Sequence, residues 1–298
     1  MSSAIIHGDN LLVLKHLPSH FFTLIYVDPP FNTGKQQKRT SIKVKQTSTG
    51  GTRKGFANKQ YVSEVVDEKS YSDVFESSEK YWDFMIPRLE EAYRVLAENG
   101  SFYCHLDYRE IHYCKIILDD IFGKDCFMNE IIWAYDFGGR PRNKWPPKHD
   151  NILFYVKSPE NHIFNIDKIT EIKFAYPGLN CEEPTDVWWH TIVPTNSSEK
   201  TGYPTQKPLG ILRRIIEASS NPGDWVLDFF AGSGTTGVAA LELGRRFVLI
   251  DSNPQAIETM KKRFAGKTDI SWMEVKDESD ARALCNAEVF AAGHQAFN

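Results

Sequence analysis

The feature that most constrains this chain is a recurring alternation of short, β-branched apolar runs with segments of helical spacing. That alternation is the sequence form of a mostly parallel sheet covered by helices. It predicts strands over Ala4–His7, Thr23–Val27, Ser101–His105, Glu130–Ala134, Ile152–Val156, Trp225–Asp228 and Phe247–Ile250. Tyr81, Met85, Leu89, Ala92 and Leu96 share one helical stripe, with Pro87 marking a kink or a start. Further helices are expected over Leu209–Ala218 and Gln255–Phe264. At 298 residues the chain can build one large α/β domain with insertions.

Composition narrows the class. Five cysteines, Cys104, Cys114, Cys126, Cys181 and Cys285, stand without a CxxC pair, against a disulfide framework or a structural zinc site and in favour of a reducing, cytoplasmic setting. The histidines show no metal spacing, so no metal is expected. Apolar runs such as Phe21–Val27 are strand-sized rather than membrane-spanning. A net charge of −4 excludes a uniformly basic nucleic-acid binder, so any such site must be a local patch.

Two strands end in chemistry-bearing turns. The run Trp225–Asp228 breaks at Phe229 and Phe230 into Ala231-Gly232-Ser233-Gly234-Thr235-Thr236-Gly237, where glycines permit a sharp turn and close approach of a ligand. The next strand ends on Asp251, followed by Ser252, where a carboxylate can accept from both hydroxyls of a ribose. A nucleoside-containing cofactor is implied. The glycine pattern alone also fits a nicotinamide or flavin oxidoreductase or an accidental turn, and a nucleotide triphosphatase is disfavoured because no Lys-Ser or Lys-Thr pair closes the loop.

The other strand, Phe22–Val27, runs into Asp28-Pro29-Pro30-Phe31. Two prolines stiffen the chain, so the Asp28 carboxylate and the Pro29 carbonyl can face one point as twin acceptors for an NH2 group. An aromatic amine needs such acceptors, because its lone pair is delocalised until hydrogen bonds favour the pyramidal nitrogen. Phe31 would stack on a base flipped out of its duplex. A plain strand-ending turn is the alternative reading.

These residues resemble the catalytic motif and the S-adenosylmethionine loop of amino-group DNA methyltransferases. With the catalytic motif first, the order resembles the circularly permuted beta class over roughly Ile5 to Phe264. The resemblance implies a Rossmann-like, seven-stranded mixed sheet with one antiparallel strand. It also implies that Asp9, in His7-Gly8-Asp9-Asn10, bonds the cofactor's adenine amine. Tyr203-Pro204-Thr205-Gln206-Lys207-Pro208 resembles the segment before the cofactor strand, which would put Thr205 and Lys207 near the methionine carboxylate, supported by Ser233 and Thr235. An aspartate heading the tetrapeptide is typical of adenine-N6 members, whereas serine is more usual in cytosine-N4 ones. Direct transfer to adenine in duplex DNA is therefore expected. Cytosine-N4, RNA or protein methylation and an oxidoreductase stay as alternatives.

Target recognition is expected from residues 137–204, with a flexible basic loop over 34–63, a catalytic domain over 1–136 and 205–270, and a C-terminal extension over 271–298. Between Gly34 and Ser63 there is no acidic residue, and Lys35, Lys38 and Arg39 leave directly from the tetrapeptide, placed to track phosphates. Arg140 and Arg142 can reach guanine edges, with Lys144 beside them and Trp145 as a wedge, although an ordinary basic turn has the same composition. Trp188, Trp189 and His190 read as a packing anchor. By resemblance a homodimer is expected, and a cognate restriction endonuclease is a further candidate partner.

Overall fold

In the computed structural model the described residues are 2–47, 53–54, 60–170, 185–284 and 290. The first half of the chain carries β1 (Ser3–His7), α1 (Asn10–His16), β2 (Phe22–Val27), β3 (Lys35–Thr47), β4 (Arg53–Lys54), β5 (Gln60–Asp73), α2 (Ser78–Val95), β6 (Leu96–Leu106) and α3 (Ile111–Phe122). Then follow β7 (Phe127–Ala134), β8 (His149–Val156), α4 (Ile166–Thr170), β9 (Val187–Trp189), α5 (Leu209–Ser219) and β10 (Trp225–Asp228). The chain closes with α6 (Thr235–Glu242), β11 (Arg246–Asp251), α7 (Pro254–Arg263), β12 (Ile270–Glu274) and α8 (Glu278–Leu284).

Among the described residues the main sheet has nine strands in the order β12-β1-β11-β10-β2-β6-β8-β7-β9. All seven expected strands are in it, with β9 and β12 added, so the count of seven is corrected to nine. Only β8 opposes the rest among the described strands, pairing antiparallel with β6 and β7 while β9 runs parallel to β7. Side chains of the central strands β2 and β10 are buried along their whole length, because helices cover both faces. Two apolar clusters result, one holding Met85, Leu89 and Phe102 and the other Ile211, Ile215 and Leu249. Helix α2 begins at Ser78, capped by Ser77 Oγ accepting from Lys80 N at 3.3 Å, and runs through Pro87.

Three boundaries shift. Residues 34–63, expected as a flexible loop, lie largely in an antiparallel hairpin of β3 and β5 with β4 added at its side. The β-branched Ile42, Val44, Val62 and Val65 favour extended backbone. The register sets Lys43 opposite Glu64, so a basic strand pairs with a partly acidic one. Residues 48–52 and 55–59 of that expectation lie outside the described residues. The stretch 137–204, expected as the target-recognition region, contains the expected strand β8, which lies inside the main sheet; residues 171–184 of it lie outside the described residues. The supposed C-terminal extension supplies β12, which pairs with β1, and α8 and Phe290, whose Ala281, Leu284 and Phe290 are buried in the core.

Candidate active site

Because all sheet strands but β8 run in one direction, β2, β6, β7, β10 and β11 end at the same edge, where open α/β sheets bind ligands. The antiparallel β8 begins there. One edge thus collects Asp28 after β2, His105 near the end of β6, Asp150 near the start of β8, the glycine loop after β10 and Asp251 closing β11.

Asp28 is held from two sides. Its Oδ2 accepts from Lys207 Nζ at 2.6 Å, an ion pair whose side chains are 17% and 12% exposed. Its Oδ1 is buried, has no hydrogen-bond partner and lies 3.8 Å from His105 Nδ1. The turn beyond is fixed by Glu110, which accepts from Asn32 Nδ2 at 2.7 Å and from Trp82 Nε1 at 3.1 Å. Asn32 needs that support, since its φ of 53° is a left-handed conformation. The Lys207 ammonium stands 5.0 Å from the Phe31 ring centre.

The glycine loop is shaped from behind. Asp228 accepts from Thr236 Oγ1 at 2.6 Å and from Phe230 N at 3.0 Å. Full burial pushes its carboxyl up to about 7 despite those bonds. Asp251 accepts the backbone amides of Gly232 at 2.7 Å and Asn253 at 2.8 Å, while burial raises its carboxyl above the usual range. Each oxygen keeps a lone pair for a further donor. A Cβ at Gly232 would stand 3.3 Å from the Tyr203 ring, and one at Gly234 2.8 Å from Met260 Cγ. Arg263 binds Ser233 O at 3.1 Å and Thr235 Oγ1 at 3.0 Å, bringing a cation beneath the loop.

Between these elements lies a cavity of about 580 Å³. Of the expected cofactor residues, Asp9, Thr205, Lys207, Asp228, Phe229, Phe230, Ala231, Gly232, Ser233, Thr235, Asp251 and Ser252 line it, and so do Asp28 and Pro30. Pro29, Phe31 and Gly234 are not on its wall. Gly234 instead serves packing against Met260 and Phe264. Asp9 reaches the wall while capping α1 through Leu12 N at 2.9 Å and pairing with Arg88 at 3.0 Å. Gln36, Ser70 and Val74 at the base of the β3–β5 hairpin close another side, tied down by Ser70 N donating to Gln255 Oε1 at 2.7 Å.

The family model for N6/N4 methyltransferases, described as DNA methylase, matches residues 22–262. The chain belongs to this DNA methylase family. It is 32% identical over 266 residues to the type II methyltransferase M.HpaI of Haemophilus parainfluenzae, covering 88% of this chain and 74% of that one. It is 31% identical over 277 residues to the DNA adenine methyltransferase YhdJ of Escherichia coli, covering 88% and 82%. Its fold is similar to that of the PvuII cytosine-N4-specific DNA methyltransferase, with a TM-score of 0.62 at 16% identity, covering 96% of this chain and 92% of that one.

In this methylase the β7–β8 loop and the start of β3, which carry residues expected to meet DNA, follow strand ends at the same edge. The loop between β7 and β8 carries Trp145, 94% exposed, while Arg140 pairs with Asp136 and Lys144 stands 5.9 Å from the exposed Tyr108 ring. Arg142 is exposed on the same loop, and Lys35 is exposed at the start of β3. Lys38 and Arg39 follow on β3, their side chains outside the described residues. Trp188 is buried, bonds Thr185 O at 2.8 Å and lies beneath the Arg214 guanidinium at 4.8 Å, which makes it a packing anchor. Trp189 is 39% exposed. No helix among the described residues is long and apolar enough to cross a membrane.

Sequence reasoning missed His105, Asp150, Glu110 and Arg263 at this site. The first two come from strands of opposite direction, and nothing in their spacing announces the meeting. Glu110, by contrast, follows Leu106-Asp107-Tyr108-Arg109 at the end of β6, a placement just past a strand end that could have drawn notice.

Proposed function

We propose that this methylase transfers a methyl group from S-adenosylmethionine to N6 of adenine in duplex DNA, with Asp28 and the Pro29 carbonyl as acceptors for the target amine. The observation that carries the reading is the placement of Asp28 on the wall of the cavity that the glycine loop and Asp251 also line. The cavity falls within the roughly 300–1,000 Å³ of small-molecule sites. Its donor set fits the cofactor. Carboxylates of Asp9 and Asp251 suit an amine and ribose hydroxyls, the aromatic rings of Phe84 and Phe230 suit a base, and Lys207 with the Ser233 and Thr235 hydroxyls suits a carboxylate.

When bound, the cofactor supplies an electrophilic methyl on a sulfonium. The protein's part is to hold the amine. Asp28 accepts one of its protons and the Pro29 carbonyl the other, so negative charge faces the nitrogen as it becomes positive. Lys207 must yield Oδ2 of Asp28 for both carboxylate oxygens to serve, and a carboxylate arriving in the cavity competes for its ammonium. Similarity to an adenine methyltransferase and the aspartate of the tetrapeptide favour adenine over cytosine-N4, a choice the fold alone does not make. The basic β7–β8 loop and the β3–β5 hairpin flank the edge as the DNA-contacting elements, and phosphate neutralisation would set their affinity. Similarity to a type II methyltransferase supports a companion restriction endonuclease, and a homodimer stands as a further proposal, checked by sedimentation.

Incubating the protein with mixed-sequence duplex DNA and methyl-labelled cofactor, then digesting to nucleosides for mass spectrometry, tests the reading. Labelled N6-methyladenine is the expected product, and label on N4 of cytosine would keep the mechanism while overturning the base. Asp28→Ala should abolish transfer and leave cofactor affinity within about twofold; equal loss of both would contradict the division of labour.

A further inference from the structure

His105 is fully buried directly beneath the tetrapeptide, its ring centre 5.6 Å from that of Phe31 and 5.4 Å from that of Trp133. The ring has these polar neighbours among the described residues. From β2 comes the Tyr26 hydroxyl, 2.9 Å from Nδ1, and from the turn after it Asp28 Oδ1 at 3.8 Å. From β8 comes Asp150, whose Oδ2 lies 3.3 Å from Nε2 and whose Oδ1 accepts from Tyr135 Oη at 2.8 Å. Burial would raise the Asp150 carboxyl, yet the hydrogen bond from His105, with Lys207 and Tyr135 contributing, holds it below its ordinary value. With Asp150 accepting at Nε2, the neutral ring carries its proton there and leaves the Nδ1 lone pair on the side of Tyr26 and Asp28.

The reaction produces a proton that must go somewhere. A methylated amine still carrying both original hydrogens is a cation, and neutral N6-methyladenine forms only when one leaves. Asp28 Oδ1, the buried oxygen without a partner, faces the histidine. We propose that His105, backed by Asp150, is the positioning residue for Asp28 and takes from it the proton released by the target amine. As the nitrogen–carbon bond forms and the donor's carbon–sulfur bond breaks, with its electron pair left on sulfur, one N–H bond breaks and its pair stays on nitrogen. The proton passes to Asp28 Oδ1 and on to His105 Nδ1. Tyr26 then turns its hydroxyl so that the oxygen accepts the new Nδ1–H, and the imidazolium sits between that oxygen and the Asp150 carboxylate. The gap from Oδ1 to Nδ1 must close by about 1 Å to reach a charge-assisted hydrogen bond, and rotation of the Asp28 carboxylate away from Lys207 supplies it.

This inference rests on the amine-methylation reading. Its test compares the parent with His105→Gln and Asp150→Asn in single-turnover methylation of preformed complexes. Cofactor affinity is followed by titration calorimetry and base flipping by 2-aminopurine fluorescence at the target. Both variants should bind cofactor within about threefold of the parent and flip the base normally, while the single-turnover rate falls at least 30-fold. Histidine 15N NMR of the parent, which needs neither turnover nor variants, should find the His105 proton on Nε2. Single-turnover rates like the parent's in both variants, or a proton resident on Nδ1, would overturn the inference. A parent that methylates no nucleic-acid amine would overturn the proposed function and this inference with it, whereas fast variants overturn this inference alone.

Discussion

Replacing Asp228 by asparagine should change how the stability of the fold depends on pH. Asp228 is buried at the end of β10, and its carboxyl is raised on folding from 3.8 to about 7, chiefly by burial. Below the lower value both folded and unfolded chains hold the proton, and the native state keeps its full advantage. Between the two values the native state retains a proton that the unfolded chain has released, so stability falls as pH rises. The shift of about 3 units, at roughly 1.4 kcal/mol each, amounts to a loss of about 4 kcal/mol that is complete above the folded value. The amide introduced by Asp228→Asn cannot titrate, so the variant's stability lacks this slope, while carboxyls remote from Asp28, Asp228 and Asp251 behave alike in both proteins. Urea denaturation followed by tryptophan fluorescence at about pH 4.5 and about pH 8 should show the stability difference between parent and Asp228→Asn changing by about 3 kcal/mol in favour of the variant at the higher pH. A difference that stays constant across that range would refute the reasoning.

Gly234→Ala should lower the melting temperature by roughly 5–15 °C. A left-handed alanine costs about 1–2 kcal/mol, overpacking adds about 1–3 kcal/mol, and each kcal/mol shifts a chain of this size by about 2–4 °C. The φ of 74° and the Cβ contact 2.8 Å from Met260 Cγ set those terms, and Gly139→Ala, with open space around it, should melt like the parent. Arg140→Ala, Arg142→Ala and Lys144→Ala combined should flatten the dependence of log K for DNA on log salt by up to about 3, at about 0.9 per phosphate contact. An unchanged slope in fluorescence anisotropy titrations would remove the β7–β8 loop from the DNA contacts.

What the sequence made legible follows from burial. Trp225–Asp228 has the bounds expected of it, because a strand covered on both faces is buried at every position, apolar through Leu227, and ends on the carboxylate where its chemistry begins. The edge strand β12 escapes a reading by apolar runs because its exposed side interrupts the run, as Ile270 is buried while Ser271, Trp272, Met273 and Glu274 are exposed to different degrees. Strand β9, at three residues, reads as an aromatic cluster. The hairpin after the tetrapeptide reads as a loop because its polar composition hides an antiparallel pairing of β3 with β5. At the site, the tetrapeptide, the glycine loop and Asp251 are visible because each follows its own strand. The pairings of Asp28 with Lys207 and of His105 with Asp150 are not, since 179 and 45 residues separate the partners and only the strand order joins them.

The tip between β7 and β8 is anchored at both ends by the sheet ladder, with Ala134 opposite His149 and Tyr135 N donating to Lys148 O at 2.9 Å. A segment whose ends are already fixed neighbours can lengthen at small cost, about 0.6 kcal/mol for each doubling. Its residues are therefore free to diverge, or to be exchanged wholesale between relatives, while Asp28 and the cavity stay where they are. Whatever this tip touches, the architecture lets selectivity be rewritten without renegotiating the chemistry.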